Sequence, residues 1–276
     1  MTGSGRQARS SQPRLVATDL DGTLLHSDGR VTPRTRDVLR ALDRQGVPVV
    51  FTTGRPIRWM RDLWHHVGSH GLAICSNGGI VYDVGAQAVR EVMAVPRDVG
   101  LQVAEMLREA VPGTAFGLEN TRGWVAEPEF PTHPDDNTGR RRQGALVDVF
   151  GDDVAKVLAV HPTMDPEEFW RRVEATVGHL VTTTWSSTFA LVEISAAGVT
   201  KASTLAVLAE ELGVTAAEVV AFGDMPNDVA MLEWAGHAVA MGNAHPSLRE
   251  HADRVAPSND EDGVASVLEE LFGLGR

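Results

Sequence analysis

Short apolar runs recur in the outer thirds of this chain, and each runs straight into a polar turn. Leu15-Val16-Ala17-Thr18 leads into Asp19-Leu20-Asp21-Gly22-Thr23. Val47 to Phe51 leads into Thr52-Thr53-Gly54-Arg55, and Leu72 to Cys75 into Ser76-Asn77-Gly78-Gly79. Val219 to Phe222 leads into Gly223-Asp224-Met225-Pro226-Asn227-Asp228. A strand that is apolar throughout must be covered on both faces, which is the condition of a parallel sheet flanked by helices. Helices fit between the runs. One has Thr32 as N-cap, Pro33 at its first position and Gly46 just past its end, with Val38, Leu39 and Leu42 on its buried face. Others are expected around Ile57 to Val67, from Lys201 (stripe Leu205, Leu208, Leu212) to Gly213, over Val229 to Ala235, and near Gly263 to Phe272. A short strand, His237 to Ala240, completes the last third.

The middle third differs in character. Strands of mixed polarity are expected over Val89 to Val95, Gly123 to Glu127, Val157 to His161 and Leu180 to Trp185. Helices fit over Arg97 to Ala110 and from Asp165, where Pro166 and Glu168 give a capping-box-like start. Pro128 to Gln143 reads as a loop. The expected fold class is therefore α/β: a doubly wound, mainly parallel (Rossmann-like) core sheet with an inserted α+β cap domain. Residues 14–83 and 189–276 would form the core and 84–188 the insert, after a disordered tail at 1–13.

Composition narrows the partners. With 276 residues, 43% of them hydrophobic, the chain can bury a sizeable core. Its formal net charge of -12 disfavours two polyanions as partners, nucleic acid and anionic membrane. The single cysteine, Cys75, excludes an intrachain disulfide and fits a cytoplasmic location. No apolar run is long enough to span a bilayer, and the first residues lack the apolar stretch of a secretory signal. If the ligand is itself anionic, positive charge must be concentrated locally within an acidic protein.

Four segments can carry chemistry, each where a strand or helix meets a loop, and ligands of open α/β sheets bind at the carboxyl ends of the strands. Asp19 and Asp21, two residues apart after a strand, suit an aspartate nucleophile with a neighbouring acid–base group; a polar strand end with turn residues is the plain alternative. Asp224, Asn227 and Asp228 again place oxygen donors in a strand-end loop, the donor type that magnesium takes, or they cap the following helix. Thr53 and Gly54 can cradle a phosphate with a hydroxyl and backbone N–H groups, or cap a helix. Lys201 is one of only two lysines in the chain, with Lys156. It opens a helix, where the macrodipole disfavours a cation, so it is either a compact charge for a phosphate or a surface residue.

The set Asp19-Leu20-Asp21-Gly22-Thr23-Leu24, Thr53-Gly54-Arg55, Lys201 and Gly223-Asp224-Met225-Pro226-Asn227-Asp228 resembles the four motifs of the haloacid dehalogenase-like hydrolase superfamily. Ser76-Asn77-Gly78-Gly79, Met241-Gly242-Asn243-Ala244 and the segment from Ser258 to Val264 resemble further marks of its Cof-type phosphatases. The likeness covers both outer thirds. The Asp19-to-Thr53 interval is too short for a cap domain, so the insert falls at the second of the superfamily's two cap sites. Asp21 matches its phosphatases and not its dehalogenases or cation pumps.

The resemblance implies a magnesium-dependent phosphatase acting on a small phosphorylated metabolite, such as a sugar phosphate, through an aspartyl-phosphate. Asp19 would attack phosphorus and ligate Mg2+. Asp21 would be general acid, then base, and ligate through its backbone carbonyl. Thr53, Gly54, Lys201 and Asn227 would hold the phosphoryl group. Asp224 would bind the metal directly and Asp228 would support its shell. A phosphomutase or dedicated sugar-phosphate phosphatase on the same core is the enzymatic alternative. A non-catalytic sensor would be expected to lack Asp19, Asp21 or Lys201, and all three are present. The protein is expected to be a monomer or homodimer. The natural substrate, the cap residues that select it and the choice between water and a second phosphate acceptor are not legible in the sequence.

Several other features have plainer readings. His65, His66 and His70 read as surface residues, since no Cys or acidic ligand completes a metal set. Arg140-Arg141-Arg142 reads as a solvated loop that could meet a second anionic group. Trp124 and Trp185 read as packing residues. Asn77 either shapes the substrate side of a pocket or makes a plain Asn-Gly turn.

Overall fold

The computed structural model describes residues 12–66, 71–131, 141–185 and 187–274. The expected tail up to residue 11, His70 and Arg140, with most of the expected loop, lie outside them. The first elements are β1 (Leu15–Thr18), α1 (Pro33–Arg44), β2 (Val49–Thr52), β3 (Leu72–Cys75), β4 (Ile80–Asp83) and β5 (Ala88–Val92). Next come α2 (Arg97–Ala110), β6 (Ala115–Asn120), β7 (Gly123–Ala126), β8 (Arg141–Gln143), α3 (Leu146–Val149), β9 (Val154–Val160) and α4 (Pro166–Val177). They are followed by β10 (Thr182–Thr184), β11 (Leu191–Ser195), α5 (Lys201–Glu211), β12 (Val219–Gly223) and α6 (Val229–Trp234). The last are β13 (His237–Ala240), α7 (Pro246–Arg249), β14 (Arg254–Val255) and α8 (Gly263–Phe272).

These elements form two compact units. The first takes the described chain up to Thr53, the His65–Ala73 segment and everything from Leu205 onward; the second takes Gly54–Trp64 and Ile74–Thr204. The second is therefore wider than residues 84–188, and α5 and β3 each straddle a division.

In the first unit the strand order is β14-β13-β12-β1-β2, with every pair parallel. Strands β1, β2 and β12 are fully buried, as their unbroken apolar sequence requires. Thr32 caps α1 by accepting the Thr35 N–H, Pro33 opens the helix, and Val38, Leu39 and Leu42 face inward. Burying each such leucine contributes about 2–3 kcal/mol. Arg34 on α1 makes a two-pronged ion pair with Glu269 on α8, at 3.1 and 2.6 Å.

The second unit is a six-stranded sheet in the order β10-β11-β9-β6-β7-β8, antiparallel apart from the β7–β8 pair, together with the β4–β5 hairpin. Period-two alternation sends side chains to opposite faces. Phe116, Leu118, Val157 and Val192 join Val103 and Leu107 of α2 and Phe169, Val173 and Val177 of α4 in one core. Trp124, Phe130, Leu158 and Val160 cluster separately, with the Trp124 and Phe130 rings meeting edge-on at 5.4 Å. The Trp185 indole stacks near Trp170 at 6.4 Å and donates to Ser187 O at 2.6 Å.

Four local readings need correction. The expected loop from Pro128 to Gln143 ends in a strand, since Arg141–Gln143 form β8 and pair with β7. The expected Ile57–Val67 helix is instead a pair of single 3-10 turns, Ile57–Trp59 and Trp64–His66. The segment is rich in aromatic residues of modest helix propensity, and Trp64 is held by stacking on Tyr82 at 4.7 Å. Strand β6, central in its sheet, stands where no strand was expected, because the glycine in Ala-Phe-Gly-Leu-Glu-Asn breaks the alternation signal. At α4 the Asp165 cap forms, accepting from the Glu167 and Glu168 N–H groups. Glu168, however, turns forward to Arg172 at 2.8 Å rather than back to complete a capping box.

His66 is half-buried rather than fully at the surface. Burial pushes its imidazole down to about 4, and repulsion from His65, Arg36 and Arg40 adds to the effect. The unfolded chain would protonate this group near its ordinary 6.5, so stability is withdrawn as pH falls from there toward about 4. Thermal unfolding of His66→Gln is expected to lose less stability over that interval than the unmodified protein; parallel curves would refute the assignment.

Candidate active site

The carboxyl edge of the parallel sheet gathers the acidic residues. Asp19 follows β1 and its N–H extends the ladder to Phe222 O of β12 at 3.0 Å. Asp224 follows β12, and Thr53 follows β2. Since β12, β1 and β2 are adjacent and parallel, all three residues leave the sheet at one edge. Oxygens of Asp19, Asp224 and Asp228 lie within 4.8 Å of one another, and all three residues are buried. Among the described residues this is the one group of three or more His, Cys, Asp or Glu side chains so arranged.

The loops explain how the carboxylates are held. Residues Leu20–Leu24 make one wide turn after Asp19, closed by Leu24 N–H to Asp19 O at 3.3 Å and Leu25 N–H to Leu20 O at 2.9 Å. The turn needs Gly22 at φ +74, and a Cβ there would lie 2.2 Å from Asp224 Oδ2. Thr23 donates its hydroxyl to Asp224 Oδ1 at 3.0 Å. Asp228 does not cap α6 with its side chain. It reaches back to accept the N–H groups of Asp224 and Met225 at 3.1 and 3.2 Å, which fixes the loop carrying Asp224. Asn227 is half-buried beside it, and Asp21 is exposed to solvent.

Two asparagines brace the same loop. Asn243 donates to Gly22 O at 2.8 Å and accepts from the Asn259 N–H at 3.0 Å. Asn259 in turn donates to Leu25 O at 2.9 Å. The segments around Asn243 and Asn259 stand out in the sequence, but their supporting role follows only from contacts more than 200 residues apart.

The remaining expected residues belong to the second unit, apart from Thr53. Gly54 opens it, and Lys201 is the first residue of α5. Lys201 is only 1% exposed, so it is no surface lysine. Thr53 is buried and caps no helix, since the following turn begins at Pro56 without a side-chain cap. Asn77 has a left-handed backbone, φ +56, and donates to Thr184 at 3.1 Å.

Sequence reasoning passed over Lys156, the other lysine. It is the single charged residue in the otherwise apolar, fully buried β9, a pattern that could have marked it. Two clefts, of about 560 and 410 Å³, contain none of the expected site residues. No helix among the described residues is long and apolar enough to cross a membrane.

The sheet and its carboxyl edge thus carry the two acid pairs, Asp19 with Asp21 and Asp224 with Asp228, in one parallel α/β fold. A family model described as haloacid dehalogenase-like hydrolase matches residues 16–268, and the chain belongs to that family. It is similar to the 5-amino-6-(5-phospho-D-ribitylamino)uracil phosphatase YitU of Bacillus subtilis (strain 168), at 30% identity over 96% of this chain and 99% of that protein. It is equally similar, at 30% identity, to the pyridoxal phosphate phosphatase YbhA of Escherichia coli (strain K12), over 92% of this chain and 97% of the relative. A solved haloacid dehalogenase-like hydrolase from B. subtilis superposes with a TM-score of 0.80 at 25% identity, covering 94% of this chain and 99% of its own. The protein is a Cof-type phosphatase, a phosphoric monoester hydrolase.

Proposed function

We propose that the protein hydrolyses a small phosphorylated metabolite in a magnesium-dependent reaction that passes through an aspartyl-phosphate on Asp19. The observation that carries this reading is the convergence of three buried carboxylates, Asp19, Asp224 and Asp228, within 4.8 Å. Like charges gathered so closely favour a cation among them. An all-oxygen donor set suits a hard divalent ion such as Mg2+ and suits zinc or copper less well. Asp19 and Asp224 would hold the ion, with the backbone carbonyl of Asp21, and Asp228 would fix the Asp224 loop. When bound, the ion would neutralise charge on the phosphoryl oxygens and on Asp19.

The protein's own groups account for the chemistry. A carboxylate oxygen of Asp19 attacks phosphorus and the bond to the leaving oxygen breaks. Asp21, as the acid, gives that oxygen its proton. Asp21, now a carboxylate, then takes a proton from water as the water oxygen attacks phosphorus. The bond to Asp19 breaks, orthophosphate leaves and both aspartates are restored. The solvent exposure of Asp21 suits a group that must exchange protons in both halves of the cycle. On their match to the family motifs, Thr53, the Gly54 amide, Lys201 and Asn227 take the phosphoryl oxygens, and the 84–188 insert is the cap that selects the substrate.

Removal of metal tests this reading. Hydrolysis of an aryl phosphate is expected to vanish after exhaustive chelation and to return with added Mg2+; undiminished turnover in chelator would sink it. A panel of phosphorylated sugars, nucleotides and cofactors, including the substrates named for the relatives, would then identify the metabolite.

A further inference from the structure

Lys156 lies in the middle of β9 with its side chain 2% exposed. A lysine ammonium has three N–H donors, and three acceptors meet it here. They are Glu193 Oε1 at 2.5 Å, Gly54 O at 2.8 Å and Glu119 Oε2 at 3.2 Å. Glu119 stands on β6 and Glu193 on β11, the two strands flanking β9. The second negative charge is offset by Arg58, whose Nη2 lies 3.4 Å from Glu119 Oε1. Every residue in this cluster belongs to the second unit.

A buried charge cluster is poorly explained by stability. Removing ions from water is costly, and a well-packed apolar replacement is often no less stable. The Lys156 ammonium also reaches the main chain, at the Gly54 carbonyl. Gly54 directly follows Thr53 in the turn assigned to the phosphoryl group. Its lack of a side chain lets the following peptide rotate unless something holds it. The next carbonyl, of Arg55, is also held, accepting the Ser76 N–H at 3.1 Å. In a trans peptide the N–H points opposite to the C=O, so fixing Gly54 O fixes the direction of the Arg55 N–H and the ψ angle of Gly54.

We propose that Lys156 is a positioning residue that locks the Gly54–Arg55 peptide of the phosphate-binding turn, with Glu119 and Glu193 holding its ammonium in place. Burial alone would push that ammonium toward neutrality, but the two carboxylates more than offset it and raise its pKa above the ordinary lysine value. The donor therefore stays charged and aimed at Gly54 throughout the working pH range. The catalytic consequence rests on the function proposed above, whereas the effect on the turn does not.

The test is a charge-free cluster, Lys156→Met with Glu119→Gln and Glu193→Gln, compared with the unmodified full-length protein. The triple variant should keep a cooperative thermal transition. Its kcat for an aryl phosphate should fall about 100-fold, the scale of an ångström-sized misplacement, with KM within about threefold. Exchange of the Ser76 amide, which donates to Arg55 O, should speed up about tenfold or more, while amides of β1 and β12 stay protected. Lys156→Arg, which keeps the cation, should recover part of both effects. A folded triple variant with unchanged kcat and unchanged Ser76 exchange would overturn the proposal. If the unmodified protein fails to hydrolyse any phosphate ester, the proposed function falls instead, and Ser76 exchange still decides the role of Lys156.

Discussion

Asp19→Asn is expected to abolish phosphatase activity while making the metal-free protein more stable. A neutral amide oxygen is a poor nucleophile, so turnover should drop by about four orders of magnitude or more, the loss seen when the nucleophile of a covalent mechanism is removed. Stability should move the other way. Asp19 is buried within 4.8 Å of Asp224 and Asp228, where two carboxylates repel by about 3.5 kcal/mol or more at an effective dielectric of about 20. Neighbouring groups offset part of this, so relief of about 1–2 kcal/mol is a reasonable scale, and each kcal/mol shifts Tm by about 2–4 °C for a chain of this size. The rise in Tm on adding Mg2+ should shrink in the same variant, because the proposed ligand is lost and binding stabilises by mass action. Activity assays and melting curves with and without Mg2+ measure all three effects. A variant that keeps its activity, or that melts lower in chelator and gains the full Mg2+ shift, would contradict the assignment of Asp19.

Gly22→Ala should disable the site without touching a reactive group. The residue sits at φ +74, and the new methyl would lie 2.2 Å from Asp224 Oδ2 and 2.8 Å from the carboxyl carbon. Left-handed backbone costs a residue with a Cβ about 1–2 kcal/mol. The steric conflict is the larger problem. Asp224 cannot swing away freely, because Thr23 holds Oδ1 and Asp228 holds the backbone beneath it. Either the carboxylate moves or the Leu20–Leu24 turn opens. Both displace an expected ligand, and disturbing groups that orient a metal's ligands typically costs about 10–100-fold in metal affinity. Titration calorimetry with Mg2+, together with activity across Mg2+ concentrations, is expected to show weakened binding of that order. Native affinity in Gly22→Ala would mean that Asp224 is not a ligand.

Local order was well written in the sequence. Helix α2, strand β13 and helix α8 occupy the spans expected for them, Arg97–Ala110, His237–Ala240 and Gly263–Phe272. The caps at Thr32 and Asp165 form as their residue types require. These features depend on neighbours within a few residues, where periodicity and capping chemistry act. The 57–66 segment and β6 were misread for the complementary reason. Stacking of Trp64 on Tyr82 and pairing of β6 with β9 and β7 decided their conformation, and nothing local announces either.

The apolar strands running into acidic turns determined by themselves that this chain would build a parallel sheet and deliver Asp19 and Asp224 from strand ends. In β1 and β12, buried along their length and apolar but for Thr18, the carboxylates are left to the strand ends. Only the tertiary structure decided what holds the loops. Asp228 turns back to the Asp224 loop, Asn243 and Asn259 brace the turn at Gly22, and Lys156 reaches Gly54. Most of these links join residues separated by about 100 to 230 positions. Such pairs are selected by strand order and register, which fix which side chains face each other. A residue's type and its neighbours carry no record of that choice.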